Sequence, residues 1–402
     1  MPELPLAQAV PTVEPKASNR RLTMILYAIT AFLYWAALYL YVPTLPTYVE
    51  SKADSLALVG IVLSMYGLWQ AIIRLPLGIV ADWLGQRKPF IMGGLFLVGL
   101  GAWLMGRAEG ITGLTVGRAI TGLAAGTWVP LVVVFSSLFP PQEAVRATAM
   151  LSLIGSLGRV LATSLTGSLN QLGGYSLAFY LAAGVAALAI LIILPTREQS
   201  RSPQPLSPGN IGRLITRRDV LLPSLLAALS QYANWATTFG FIPILARQLG
   251  GTDVMQSILV SMHIGLIVVG NLMATAIVSR IGARRMVYLS FWLLSVGIGA
   301  AALAPSLPVL FVAQFCIGLS MGVSYPVLMG LSIRYVADAE RTTAMGLHQA
   351  VYAMGMFGGP WVSGWLADWV GIRPMFGVTA FFCLVLGLLV NRWLTSGVKG
   401  SH

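Results

Sequence analysis

Charge is what this chain has least of. Of 402 residues only 9% are Asp, Glu, Lys or Arg, against 57% hydrophobic. Soluble domains carry about a quarter charged residues, so a surface that faces only water is excluded. Acid is scarcer than base, 13 against 25, and every Asp and Glu falls in a tail, a loop or the end of an apolar run. Cysteine is scarce too. Cys316 and Cys383 both lie in apolar runs and lack metal spacing, which excludes a redox or zinc role and leaves small core residues. There is no Gly-rich phosphate loop, catalytic triad, metal-ligand spacing or nucleotide-binding pattern. ATP-driven chemistry and enzymatic catalysis are therefore unsupported, and neither cofactor nor metal is expected.

What the chain has is apolar length. Runs of roughly 20 residues, each able to cross about 30 Å of hydrocarbon, recur along almost all of it. Inside lipid the backbone must satisfy its own hydrogen bonds, so these runs are predicted to be helices. They are too long, and alternate too little, for a membrane β-barrel. Twelve spans are expected, near 22–45, 56–80, 88–106, 112–137, 147–168, 175–195, 220–245, 255–279, 286–304, 308–332, 343–365 and 375–395.

The net charge of +12 invites a nucleic-acid reading, but its distribution argues for topology. Eighteen Lys and Arg fall in the tails and every second loop, four (Lys52, Arg107, Arg247, Arg373) in the intervening loops, and three (Arg74, Arg118, Arg159) within spans. Such asymmetry places both termini in the cytoplasm, and no nucleic-acid partner is expected. Residues 1–21 hold Pro2, Pro5, Pro11 and Pro15 and read as a disordered tail without a cleaved signal peptide. The polar stretch 196–219 reads as a cytoplasmic linker between a six-helix bundle at 22–195 and another at 220–395, with a C-tail at 396–402.

The halves repeat each other. Gly122-x3-Gly126-x3-Pro130 matches Gly318-x3-Gly322-x3-Pro326, Arg146 to Met150 matches Arg341 to Met345, and the turn at Gly85 with Arg87 and Lys88 matches Gly282 with Arg284 and Arg285. Chance explains one such match among Gly-rich helices. Three collinear matches at one offset indicate duplication, and duplicated bundles enclose a site that can open to either side.

The loop after the second span reads Gly78-x3-Asp82-Trp83-x-Gly85-x-Arg87-Lys88. This resembles the signature of the major facilitator superfamily, with Trp83 standing where a basic residue is usual, and the resemblance covers essentially the whole chain. It implies twelve transmembrane helices in two pseudo-symmetric six-helix bundles, an all-α membrane fold. It also implies a cytoplasmic gate in which Asp82 meets the start of helix 11 near Arg341. On physical grounds Gly78 would allow a close helix approach and Gly85 a left-handed turn. Asp82 near the membrane edge needs a cation or a helix N-terminus. Arg87 and Lys88 could equally fix topology alone, and Arg74 is expected to brace this loop.

Arg118, in Leu114-x3-Arg118-x3-Gly122, resembles a second family motif that sets a cation beside the central cavity. It could instead snorkel to the interface. Arg159 lies mid-span with no acid at its depth, so it lines a cavity for a negative substrate or is held by carbonyls, Asn170 or tyrosine hydroxyls. The family's cavity is lined by helices 1, 4, 7 and 10. Their polar and aromatic residues here are Tyr34, Trp35, Tyr39, Trp128, Tyr232, Asn234, Trp235, Gln314 and Tyr325, each of which could also be packing. Tyr41 and Tyr48 are expected in an interfacial belt. His263 and His348 are core residues or proton carriers, with Glu50 and Asp54 as acidic alternatives.

The resulting expectation is an inner-membrane secondary transporter, monomeric and driven by an ion gradient such as protons. It would rock two bundles about a small-molecule site in the lipid bilayer. An organic anion or negatively charged amphipath is the first substrate class, and multidrug–proton antiport the alternative. The Gly-Pro pair usual in helix 5 of antiporters is absent at Gly155–Arg159 and occurs instead at Gly359-Pro360 in span 11. A receptor or membrane enzyme is the remote third reading: loops of at most about 24 residues leave no room for a receptor's cytoplasmic domain, and no buried nucleophile or metal cluster marks an enzyme.

Overall fold

A computed structural model describes residues 17–198, 216–337 and 340–393, except for a few side chains within them. The proline-rich tail, most of the linker and the C-tail lie outside these residues. Every described element is helical, and twelve helices cross between two faces. They are α1 (Ala17–Tyr39, continued by Leu45–Glu50), α2 (Leu56–Leu84), α3 (Lys88–Gly106) and α4 (Ile111–Ala125, continued by Trp128–Ser137). One run, Ala144–Ile193, bends at Gly173 and Gly174 into α5 and α6. Next come α7 (Arg218–Ala236, a π-turn at Thr237–Phe241, then Ile242–Gln248), α8 (Asp253–Ile281) and α9 (Ala283–Leu303). The last are α10 (Leu307–Ile333), α11 (Arg341–Val370) and α12 (Ile372–Trp393).

Nine described helical stretches are long and apolar enough to cross a membrane, and one of these is the bent α5–α6 run. The two crossings that miss the threshold, α7 and α11, are the ones pressed between other helices. Each packs on the other, and α11 also lies along α2. A helix covered by protein can carry Ser224, Ser230, Asn234 and His348, all buried, without showing them to lipid. The exposed apolar surface, including Phe96, Leu172, Trp292, Leu303, Phe381 and Trp369, belongs to the membrane-facing exterior.

The terminal face carries the start of α1 and the end of α12, and the far face carries the turns at 51–55, 173–174, 249–252 and 371. Sharp turns are made where glycine alone accepts the backbone: Gly85, Gly174, Gly250, Gly282 and Gly371 all have positive φ. The left-handed turn expected at Gly85 is there, at φ 62°.

The halves meet along two helix pairs, α2 with α11 and α5 with α8. A Cβ on Gly60 would stand 2.8 Å from the Gly364 Cα, and one on Gly67 would stand 2.6 Å from the Met356 carbonyl carbon. Gly167 lies equally flush with the backbone of Val254. Hydrogen bonds join the halves where Arg74 meets Tyr352 and, toward the far face, where Thr163 meets Ser261, Gly167 meets Ser257 and Leu56 meets Asp368. Gly78 departs from expectation. A Cβ there would meet nothing within 4 Å, and the close approach is made by Gly60 and Gly67 instead.

Candidate substrate site and gates

At mid-depth α1 offers a cluster of rings: Trp35 touches Tyr34, Tyr39 and, on α4, Trp128, all edge-on, at centroid distances of 5.4, 5.7 and 5.1 Å. α4 is broken beside this cluster. Its interruption at Gly126 and Thr127 frees the Ala124 carbonyl, which accepts from the Tyr34 hydroxyl at 2.9 Å and from Thr127 Oγ1 at 2.7 Å. That bond fixes the Tyr34 ring, and Trp128, half-buried, stacks on it at 6.2 Å.

Arg159 on α5 reaches over this wall. Its guanidinium sits 4.7 Å from the Trp35 ring centre and 5.7 Å from that of Tyr39, and Nη2 donates to Ser156 Oγ at 2.8 Å. Its buried Nε has no partner. Asn170, one partner considered from sequence, is engaged elsewhere. Trp35 stays in place because the backbone of Gly155 leaves room for its indole: a Cβ there would meet the indole nitrogen at 2.8 Å.

Arg74 does not brace the signature loop. It donates from Nη1 to the Tyr352 hydroxyl of α11 at 2.6 Å, and its guanidinium lies 5.1 Å from that ring centre. Its Nε is also buried without a partner. Tyr325 meets Tyr352 edge-on at 6.0 Å. Two guanidinium groups and six rings from both halves thus line the centre, with no carboxylate beside either cation among the described residues.

Arg118 is buried to 2% exposure, so it does not snorkel. It lies 4.3 Å from the Tyr66 ring and 5.9 Å from that of Trp235, which themselves stack at 5.2 Å across the halves. Two of its nitrogens lack partners. Its surroundings form a closed floor above the aromatic region, toward the far face. Asn234 shares that buried layer, with Oδ1 unsatisfied.

Other expectations fall differently. Gln314 is fully buried and exchanges hydrogen bonds with Thr238, whose hydroxyl lies 3.4 Å from His263 Nδ1. Both are core groups in this conformation. His348 is buried and meets Ser224 Oγ at 3.0 Å, with its ring 6.2 Å from that of Tyr352. Glu50 and Asp54 stand at the far face, away from the arginines; Asp54 is exposed and Glu50 is near Arg247. Tyr41 and Tyr48 are buried rather than interfacial, packed on Phe179 and Tyr175.

The far face is sealed by a polar cluster that sequence reading missed. Arg247 at the end of α7 pairs with Asp253 at the start of α8 and donates to the Tyr175 hydroxyl at 2.6 Å. Asn170 bridges Thr44 and Asp253 at 2.9 Å each, and Thr47 donates to Gln256 at 3.1 Å. The cluster joins the halves through Arg247 to Tyr175, Asn170 to Asp253 and Thr47 to Gln256.

At the signature loop, Lys88 and the backbone of Arg87 tie it to its own half. Glu198 accepts from the backbone amides of Arg87 and Lys88 at 2.8 and 2.6 Å, a carboxylate at the start of α3. Lys88 Nζ donates to the Leu194 carbonyl at the end of α6. The side chain of Asp82 lies outside the described residues; Arg341 is exposed at the first turn of α11. Among the described residues no three His, Cys, Asp or Glu side chains gather to hold a metal.

Twelve helices in two halves, a polar and aromatic centre between them, and a seal on one face define a membrane transporter of the alternating-access kind. The Major Facilitator Superfamily profile matches residues 27–230 and 224–401, and the chain belongs to that family. It is similar to the multidrug resistance protein MdtH of Aeromonas salmonicida, 26% identical over 81% of this chain and 82% of that one. A chloramphenicol efflux pump of Mycobacterium tuberculosis is 28% identical over 48% of this chain and 47% of its own length. In fold it matches a bacterial homologue of the human lysosomal transporter Spinster, solved inward-facing and occupied (TM-score 0.81, 14% identity, 95% and 98% of the two chains covered). It also matches the nucleoside transporter NupG (TM-score 0.74, 18% identity, 93% and 99% covered). The protein is a multi-pass secondary transporter of a small molecule.

Proposed function

We propose that this transporter exports aromatic amphipaths bearing a negative or electron-rich polar group, in exchange for protons. The observation that carries the reading is the pair Arg74 and Arg159: cations against aromatic walls, each with a buried unpartnered Nε and, among the described residues, no acid beside it. In a low-dielectric cavity such a donor is costly unless a ligand completes it. The rings supply sequence-tolerant stacking for an apolar body, and the guanidinium fork takes a carboxylate, sulfonate or similar group. Similarity to a multidrug resistance protein and a chloramphenicol efflux pump supports export.

The terminal face is read as cytoplasmic because it holds eighteen of the loop and tail cations. By that orientation the sealed far face is the outer one, and the site is open to substrate from inside. Localisation in the inner membrane and action as a monomer complete the proposal. His348 is the preferred proton carrier, since its ring neighbours Tyr352 and through it Arg74. Asp82 and Arg341 remain the proposed inner gate.

A thermal-shift panel on the purified protein tests the substrate class. A ligand at about 100 times its dissociation constant adds roughly 2.7 kcal/mol to the folded state. Aromatic anions should raise the midpoint of the wild type and raise that of Arg159→Ala by at most about half as much. Stabilisation by lipophilic cations alone, equal in both proteins, would favour multidrug–proton antiport without an anion subsite.

A further inference from the structure

The segment Ala81-Asp82-Trp83-Leu84-Gly85-Gln86-Arg87 closes α2 on the terminal face. Ala367-Asp368-Trp369-Val370-Gly371-Ile372-Arg373 closes α11 on the far face with the same pattern. Both are preceded by glycine four residues before the Asp, Gly78 and Gly364. Both turn on a glycine of positive φ, 62° at Gly85 and 90° at Gly371. Both then send a cation to the end of a helix in their own half: Lys88 to the Leu194 carbonyl and Arg373 to the Ala302 carbonyl at 3.2 Å. This correspondence does not share the offset of the duplicated halves, because it relates two antiparallel helices to each other.

An aspartate two residues before a helix end is disfavoured by its own helix dipole, so its neighbour must compensate. For Asp368 that neighbour is visible. Its Oδ1 accepts from the Leu56 amide at 2.9 Å, the first N–H of α2, across the halves. Ser55 Oγ accepts from the Leu58 amide of the same turn, so Asp368 supplies a bond that α2 does not make for itself. From that end the pair runs antiparallel through Gly60 against Gly364, Gly67 against Met356 and Arg74 against Tyr352. Continued in register, it sets position 82 opposite position 342, in the first turn of α11.

We propose that Asp368 is a far-face latch, the reciprocal of the signature-loop aspartate, and that the two alternate. In this conformation the far latch is made. Rocking about the shared α2–α11 axis breaks the Asp368–Leu56 bond as position 82 approaches the start of α11, so each aspartate caps the other's helix in one state. The latch is independent of what the transporter carries.

Double electron–electron resonance on full-length protein, with Cys316 and Cys383 replaced by alanine and no substrate added, reads the two faces directly. Nitroxide pairs at Glu109/Ser306 report the far face and at Gln142/Arg285 the terminal face. Asp368→Ala should raise the far-face-open population relative to closed by roughly two- to thirty-fold, the range that losing a side-chain cap gives. Asp82→Ala should shift it the other way. Leu56→Pro removes the donor where proline is tolerated, at the first helical position. It should reproduce Asp368→Ala, and the double variant should shift no further than either alone. Asp368→Asn, which keeps an acceptor oxygen, should restore most of the wild-type distribution. An unmoved distribution in Asp368→Ala, additive effects with Leu56→Pro, or a shift of the same sign in Asp82→Ala would overturn the latch.

Discussion

A lone arginine in a transmembrane helix is the informative residue here, and the three in this chain divide the work. Arg118 is enclosed between Tyr66 and Trp235 and touches no open space. Arg74 and Arg159 keep part of their surface free, beside rings from both halves. Replacing Arg159 by alanine should weaken binding of an aromatic anion roughly ten- to hundredfold, the weight of a hydrogen bond to a charged group. Lysine should restore only part of it, because a point charge lacks the planar fork that stacks on Trp35. Equilibrium binding of one labelled ligand to the three proteins measures both effects. At His348, glutamine keeps a polar group but cannot titrate. His348→Gln should leave binding intact while abolishing the dependence of uptake on a pH gradient, read as substrate flux with and without an imposed gradient.

Among helices, the useful contrast lies between glycines that touch and glycines that do not. Gly67→Ala puts a Cβ against the Met356 backbone, where no rotamer change relieves the overlap. It should destabilise the protein by about 1–3 kcal/mol, seen as a lowered melting midpoint in detergent. Gly78→Ala meets open space and should be neutral or slightly stabilising, since alanine is favoured over glycine within a helix by about 1 kcal/mol. The twelve crossings, the turn at Gly85 and the three cation-bearing helices could all be read from apolar length and residue type. The role of Gly78 could not, since close approach depends on which ends of α2 and α11 meet. Arg74 was misassigned for the same reason. Its distance along the chain suggested the signature loop, whereas its partner Tyr352 comes from the other half. Glu198 caps α3 across more than a hundred residues of sequence, a partnership that local pattern does not show.

Across the whole molecule, the polar seal at Arg247, Asp253, Asn170 and Tyr175 marks one state of a two-state machine. The duplicated halves and the positive-charge bias set its architecture and orientation in advance, but which face is shut depends on contacts between halves that no single segment encodes. The most direct measurement is transport by wild-type and Arg159→Ala protein in proteoliposomes under an imposed pH gradient. Its two fluorescent aromatic probes are matched in size, one a sulfonate and the other a quaternary ammonium. Gradient-driven movement of the sulfonate by the wild type, lost in Arg159→Ala, is the expected result. Movement of the ammonium probe alone, at equal rates in both proteins, would contradict it.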